Sequence, residues 1–178
     1  GGYLALVKPD GQTVVHEYGP TYPLQTANIS YGLPMDSTSV ELVSPGDTAR
    51  VLIPSDDTLD HTWRHVDYND SAWVSGSTGV GFGSLYSDLT SFNIKSAMDG
   101  VNDAAYIRIP FTGDASASWY SLRLKMKYAD GFIAYLNGFE IARRNAPPIP
   151  QWNSSASSLH PYTQVTIYED IDVSQYLH

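Results

Sequence analysis

The 178-residue chain contains no cysteine. Disulfide staples, thiolate catalysis and cysteine-ligated zinc are therefore excluded. Charge is scarce, with Asp, Glu, Lys and Arg making up 16% of residues, and basic charge is scarcer still. Ten Lys and Arg stand against 19 Asp and Glu, a net charge of −9. A nucleic-acid partner, which calls for a basic excess, is disfavoured. No apolar run approaches the ~20 residues of a membrane-spanning helix. Catalytic signatures are missing too. There is no HExxH, no GxSxG elbow and no EF-hand loop, and the glycine-rich run Gly76–Gly83 lacks the Lys of a phosphate-binding loop. No pair of acids stands out as glycosidase machinery. The sequence reads as non-enzymatic.

What is present points to strands. Thirteen tyrosines, 14 glycines and 11 prolines favour strands and turns over helices. Leu122, Leu124 and Met126 alternate with Arg123, Lys125 and Lys127, the period of a strand with one buried face. Phe132–Leu136 and Phe139–Ala142 follow, after Asp130-Gly131 and Asn137-Gly138. Both dipeptides are strong hairpin signals, because a type I′ turn needs positive φ at its two central residues. Three consecutive antiparallel strands are expected. Further strands are expected at Arg50–Ile53, at Tyr106–Thr112 with Ile107, Ile109 and Phe111 on one face, and at Gln164–Ile171. A short helix is expected near Ile94–Met98, and a turn of helix after Asp172. Tyr3–Val7 and Thr13–Tyr18 flank the turn Pro9-Asp10-Gly11 and predict a separate hairpin. Tyr18–Pro45, punctuated by prolines, reads as an extended connector. The expected organisation is residues 1–45 as hairpin plus connector, and 46–178 as an antiparallel β-sandwich of the jelly-roll kind.

The order WRHVDYNDSAW, GVGFG, YIRIPF, LRLKMKYADGFIAYLNGFEIARRNAP resembles the galactose-binding-like jelly-roll domains of large secreted bacterial proteins and glycoside hydrolases. The likeness covers roughly residues 51–172. The opening GGYLALVKPDGQTVVHEYGPTYPLQTANISYG resembles the last strands of a lamin-tail-type, immunoglobulin-like unit whose first strands are not in the sequence. The opening residues turn polar too soon for a signal peptide, so either a targeting segment has been removed or the chain is a piece of a longer protein. The resemblance implies an extracellular or cell-surface module. Its partners would be a polysaccharide or other glycan, or else neighbouring domains and further copies of the chain. It also implies a structural Ca²⁺ near the early strands.

Candidate ligand residues follow from the chemistry of sugars, which pair an apolar C–H face with hydroxyl hydrogen bonds. Trp63 beside Arg64, Tyr86, and Trp152 beside Asn153 supply aromatic platforms with polar neighbours in loop-like segments. The alternative is that these rings plug the ends of a sandwich. Arg143 and Arg144, with Arg123, Lys125 and Lys127, gather five of the ten cations in one stretch. They would either hold an acidic polysaccharide or pair with acidic neighbours. Asp56, Asp57 and Asp60 are the candidate oxygen ligands for Ca²⁺. Asp67, Asn69 and Asp70 read as a turn that buries Trp73, with Ca²⁺ as the competing reading.

Overall fold

The computed structural model describes residues 2–22, 24 and 38–177. Most of the expected connector lies outside the described residues. The chain divides into two compact units, Gly1–Val40 and Glu41–His178. The sequence placed that division between 45 and 46.

The first unit holds the antiparallel pair β1 (Leu4–Val7) and β2 (Val14–Tyr18). Its turn is closed by Asp10, whose carboxylate accepts bonds from the Gln12 and Thr13 amides and the Thr13 hydroxyl. Those bonds, the hydroxyl foremost, hold the Asp10 carboxyl below its usual range.

The second unit is all-β apart from short helical turns. Its central sheet has the order β4-β3-β7, from β3 (Thr48–Leu52), β4 (Val74–Ser77) and β7 (Tyr106–Arg108). Both pairings are antiparallel. β5 (Val80–Gly81) runs parallel to β6 (Phe92–Asn93). A 3₁₀ turn over Ser84–Leu89 lies between them, and the one-turn helix α1 (Lys95–Met98) follows. The glycine-rich run is therefore not simply a loop, since it contributes residues to β4 and β5. β8 (Arg123–Met126), β9 (Phe132–Leu136), β10 (Phe139–Arg144) and β11 (Glu169–Asp172) complete the set.

Asn137 (φ 50°) and Gly138 (φ 89°) close the β9–β10 hairpin with both central φ angles positive, as the dipeptide predicts. Asp130-Gly131 does not close a second hairpin. Neither residue has positive φ, and β8 pairs with β11 rather than β9, Leu124 opposite Ile171. Gly131 serves a different purpose. A Cβ there would lie 2.6 Å from the Asn145 carbonyl oxygen and 2.8 Å from that of Arg144, so glycine lets two backbones meet. Asn145 Nδ2 donates back to the Asp130 carbonyl at 2.8 Å. The last strand is also shorter than expected. Pro161 starts successive turns (Gln164 N to Pro161 O, Ile167 N to Gln164 O), which delay β11 to Glu169.

The core is small. Ala49, Val51, Trp73, Ile94, Tyr106, Val165 and Val173 are its buried apolar residues. On β7 the buried position is Tyr106, while Ile107, and Ile109 and Phe111 beyond the end of the strand, are part-exposed. An aromatic layer lies between β7 and β9. The Trp63 ring stacks on Tyr106 (4.5 Å between centroids, 12° between planes) and meets Tyr135 edge-on at 5.9 Å. Trp73 lies behind it, 6.2 Å from Trp63 and 5.7 Å from Tyr68. Burial, helped by the hydrogen bond to Asp60, pushes the Tyr106 phenol well above its usual pKa. Among the described residues no helix is long and apolar enough to cross a membrane.

Candidate ligand-binding site

The 3₁₀ turn Ser84–Leu89 folds against the β6–α1 junction and leaves an open cleft of about 260 Å³. Gly83, Ser84, Ser87, Thr90, Asn93 and Lys95 line it. Local bonds fix the walls. The Thr90 hydroxyl donates to the Tyr86 carbonyl at 2.9 Å, and the Asn93 side-chain oxygen accepts from the Lys95 amide at 2.9 Å. The β5–β6 pair sets Asn93 opposite Gly81. The Tyr86 ring covers Gly83, where an added Cβ would meet its Cδ2 at 3.3 Å. Tyr162 stands 6.0 Å from Tyr86, tilted by 44°. The lining thus offers hydroxyls, one amide and one ammonium beside a pair of tyrosines. Among the described residues it holds no carboxylate and no imidazole, and the Lys95 ammonium pairs with Asp99 at 3.8 Å.

None of the residues expected to bind ligand lines this cleft, and Tyr86 reaches it only through its ring beside Gly83. Trp63 and Arg64 belong to the aromatic layer. The Arg64 guanidinium sits 4.5 Å over the Tyr135 ring and contacts His61 Nδ1 at 2.8 Å. Arg143 forks onto Glu140 with two bonds of 2.7 Å and donates to the Pro147 carbonyl. That fork holds the Glu140 carboxyl below its usual range. Arg144 binds Glu169 through Nε at 2.7 Å, and the Tyr128 hydroxyl donates to the same carboxylate. Burial alone would raise the Glu169 pKa, but the Arg144 and Tyr128 bonds outweigh it and hold it low. Arg123 pairs with Asp170 (2.7 Å) and Asp172 (3.6 Å), and Lys127 lies over the Tyr168 ring. The cationic stretch is thus largely matched within the chain. Among the described residues no hydrogen bond, ion pair or ring contact joins Tyr86, Trp63 and Trp152 to one another.

The segment carrying Trp152 and Asn153 is tied down along its length. Asn102 Nδ2 donates to the Trp152 carbonyl at 3.2 Å and to the Pro54 carbonyl at 2.7 Å. The Ser155 hydroxyl reaches Asp103, and the Ser157 amide reaches the Asn145 carbonyl at 2.7 Å. Trp152 is half-buried, and Asn153 is exposed. Replacing Asn102 with alanine leaves two carbonyls without their donor. We expect a loss of about 1–3 kcal/mol in urea unfolding, with new protease cleavage confined to residues 147–161. Wild-type protease resistance in that segment would show that other contacts hold it.

The three candidate calcium ligands do not converge. Asp56 turns to its own loop, accepting from the Thr58 amide and hydroxyl, and those bonds, the hydroxyl first, lower its pKa. Asp60 accepts from the Tyr106 hydroxyl at 3.0 Å. Among the described residues no three His, Cys, Asp or Glu side chains are grouped to hold a metal ion. At the second acidic cluster the turn reading fits. Asn69 Oδ1 accepts from the Ser71 amide, Trp73 N donates to Asp70 O, and the Asp70 carboxylate pairs with arginines.

No family model, curated protein or solved structure matches the chain. The site therefore rests on its own geometry. Ser84, Ser87, Thr90, Asn93 and Lys95 were not anticipated. They are ordinary surface residue types, and only the 3₁₀ turn and a parallel strand pair bring them to one place.

Proposed function

We propose that the chain is a non-catalytic module of an extracellular or cell-surface protein, built on a galactose-binding-like jelly roll, and that it binds carbohydrate. The observation that carries this reading is the cleft of Ser84, Ser87, Thr90, Asn93 and Lys95 beside the Tyr86–Tyr162 pair. Hydroxyl, amide and ammonium groups match the alternating donors and acceptors of a sugar edge, and the tyrosines match its apolar face. A lining without carboxylate or imidazole suits binding better than glycoside cleavage, which uses a pair of acids. A lamin-tail-like origin for β1 and β2 belongs to the same proposal.

The test is affinity electrophoresis through gels containing neutral or sulfated polysaccharides. Retardation by at least one polymer is expected. Tyr86→Ala should weaken it by about fivefold or more, the scale of one aromatic contact. A second reading, a structural or adhesive module packed on other domains or copies, is favoured by the exposed apolar residues of the first unit. Tyr3, Leu4, Leu6 and Val15 are all more than half exposed, and an isolated two-stranded hairpin is marginal in water. No retardation in any gel, together with self-association in sedimentation, would replace the first reading with the second.

A further inference from the structure

The connection from β7 to β8, residues 109–122, carries an exposed aromatic group that belongs to neither the core nor the cleft. Phe111 is 43% exposed, Trp119 36% and Tyr120 85%. The segment is not slack. The Asp114 carbonyl accepts both the Ala117 amide (3.2 Å) and the Trp119 indole N–H (3.1 Å), which tethers the indole across a turn. Asp114 Oδ1 in turn accepts the Ser116 hydroxyl (2.6 Å) and amide (2.8 Å). Those bonds, the hydroxyl first, depress its pKa and keep the turn closed in the charged form.

We propose that this loop is a second carbohydrate platform, one that takes a neutral polysaccharide chain against the Trp119 and Tyr120 rings. The proposal rests on the carbohydrate reading above but not on the cleft. Three features of the loop select this ligand. First, the indole N–H is already bonded to the chain, so Trp119 presents a ring face rather than a donor. A pyranose C–H face stacks on such a surface, and a tethered ring binds with less entropy lost. Second, Thr112, Ser118, Tyr120 and Ser121 bring hydroxyls to the same segment for the sugar edges. Third, Asp114 is the only charged residue between Ile109 and Leu122, and the chain's net charge is −9. A sulfated or uronic polymer would be repelled there, whereas a neutral one meets no electrostatic penalty.

The experiment uses the whole chain in affinity gels containing xylan, glucomannan, β-glucan or galactan, with dextran sulfate as the anionic control. Wild type should be retarded by at least one neutral polymer. Trp119→Ala should lose about fivefold or more of that affinity, while Trp119→Phe, which keeps a ring face but loses the indole tether, should fall between Trp119→Ala and wild type. Tyr120→Ala should show an intermediate loss, and an unchanged far-ultraviolet circular dichroism spectrum would exclude misfolding. If Trp119→Ala binds as wild type while Tyr86→Ala does not, the cleft reading stands and the platform falls. Retardation by dextran sulfate alone would overturn the platform. No retardation by any polymer would overturn both.

Discussion

Trp73→Ala is expected to be among the most destabilising single substitutions in the chain, lowering the free energy of unfolding by about 3–5 kcal/mol. Trp73 is 6% exposed and is the largest of the buried apolar side chains among the described residues. Its ring lies beside Trp63, Tyr68 and Tyr106, at 6.2, 5.7 and 6.4 Å. Removing it leaves a cavity between the central sheet and the 61–73 segment that crosses it. The neighbours are themselves held by ring stacking and by Arg108, so they cannot easily collapse into the space. A domain whose whole stability is about 5–15 kcal/mol loses a large share of it in that one step. Urea unfolding followed by circular dichroism gives the value. If Trp73→Ala does not fold, Trp73→Phe retains a ring and should lose only about 1–2 kcal/mol. An alanine variant within 1 kcal/mol of wild type would show that the aromatic layer is not the core described here.

Local turn chemistry was readable in the sequence. Asn137-Gly138 specifies positive φ at two adjacent positions, so β9, β10 and their pairing next to the turn follow from a few residues, while the register shift between Glu140 and Ala142 does not. Long-range pairing was not readable. The alternation of Leu122, Leu124 and Met126 says that β8 is a strand, but its partner Glu169–Asp172 lies about forty residues away, and nothing in the alternation names it. Asp130-Gly131 carries the same letters as a hairpin turn for a different reason, the close approach of the Arg144 and Asn145 carbonyls. The phase of β7 was misleading as well. Ile107, Ile109 and Phe111 look like the buried set, yet burial goes to Tyr106, because Trp63 and Trp73 come from another segment to cover that side. For the same reason Trp63, which looked like a surface platform, is occupied on one face by Tyr106. The cleft could not be read at all, since its residues acquire meaning only after the 3₁₀ turn folds.

Charge was half legible. The sequence offered two fates for its cationic stretch, ligand or neighbour, and the pairs Arg123–Asp170, Arg143–Glu140 and Arg144–Glu169 take the second. With those cations matched internally, the acidic excess dominates what the chain presents to solution. That balance is one more reason to expect an uncharged glycan rather than a sulfated one.

The other large effect is expected at Asp70, where Asp70→Ala should lower stability by about 2–4 kcal/mol. Arg50 and Arg108 stand directly opposite each other on β3 and β7, on the face covered by the aromatic layer. Two like charges so close are tolerable only because Asp70 lies between them, 2.8 Å from Arg108 Nε and 3.3 Å from Arg50 Nε. The Arg108 and Asp70 side chains are 17% and 21% exposed, so water screens the pair only in part. That exposure is why the expected loss falls short of a fully buried pair, and the partial burial is why it exceeds the ~0–1 kcal/mol of a surface pair. Arg108 also donates to the Trp63 and His65 carbonyls, which fastens the 61–73 segment over the sheet. Arg108→Met alone should therefore be costly for two reasons, the carboxylate left with Arg50 as its one cation and the released segment. The double variant Asp70→Ala/Arg108→Met removes both members of the shorter ion pair and leaves only Arg50 without its carboxylate, so its loss should be smaller than the sum of the single losses by at least about 1 kcal/mol. Strict additivity in that cycle, measured by urea unfolding, would mean that Asp70 and Arg108 act independently and that the segment is held by its aromatic rings alone.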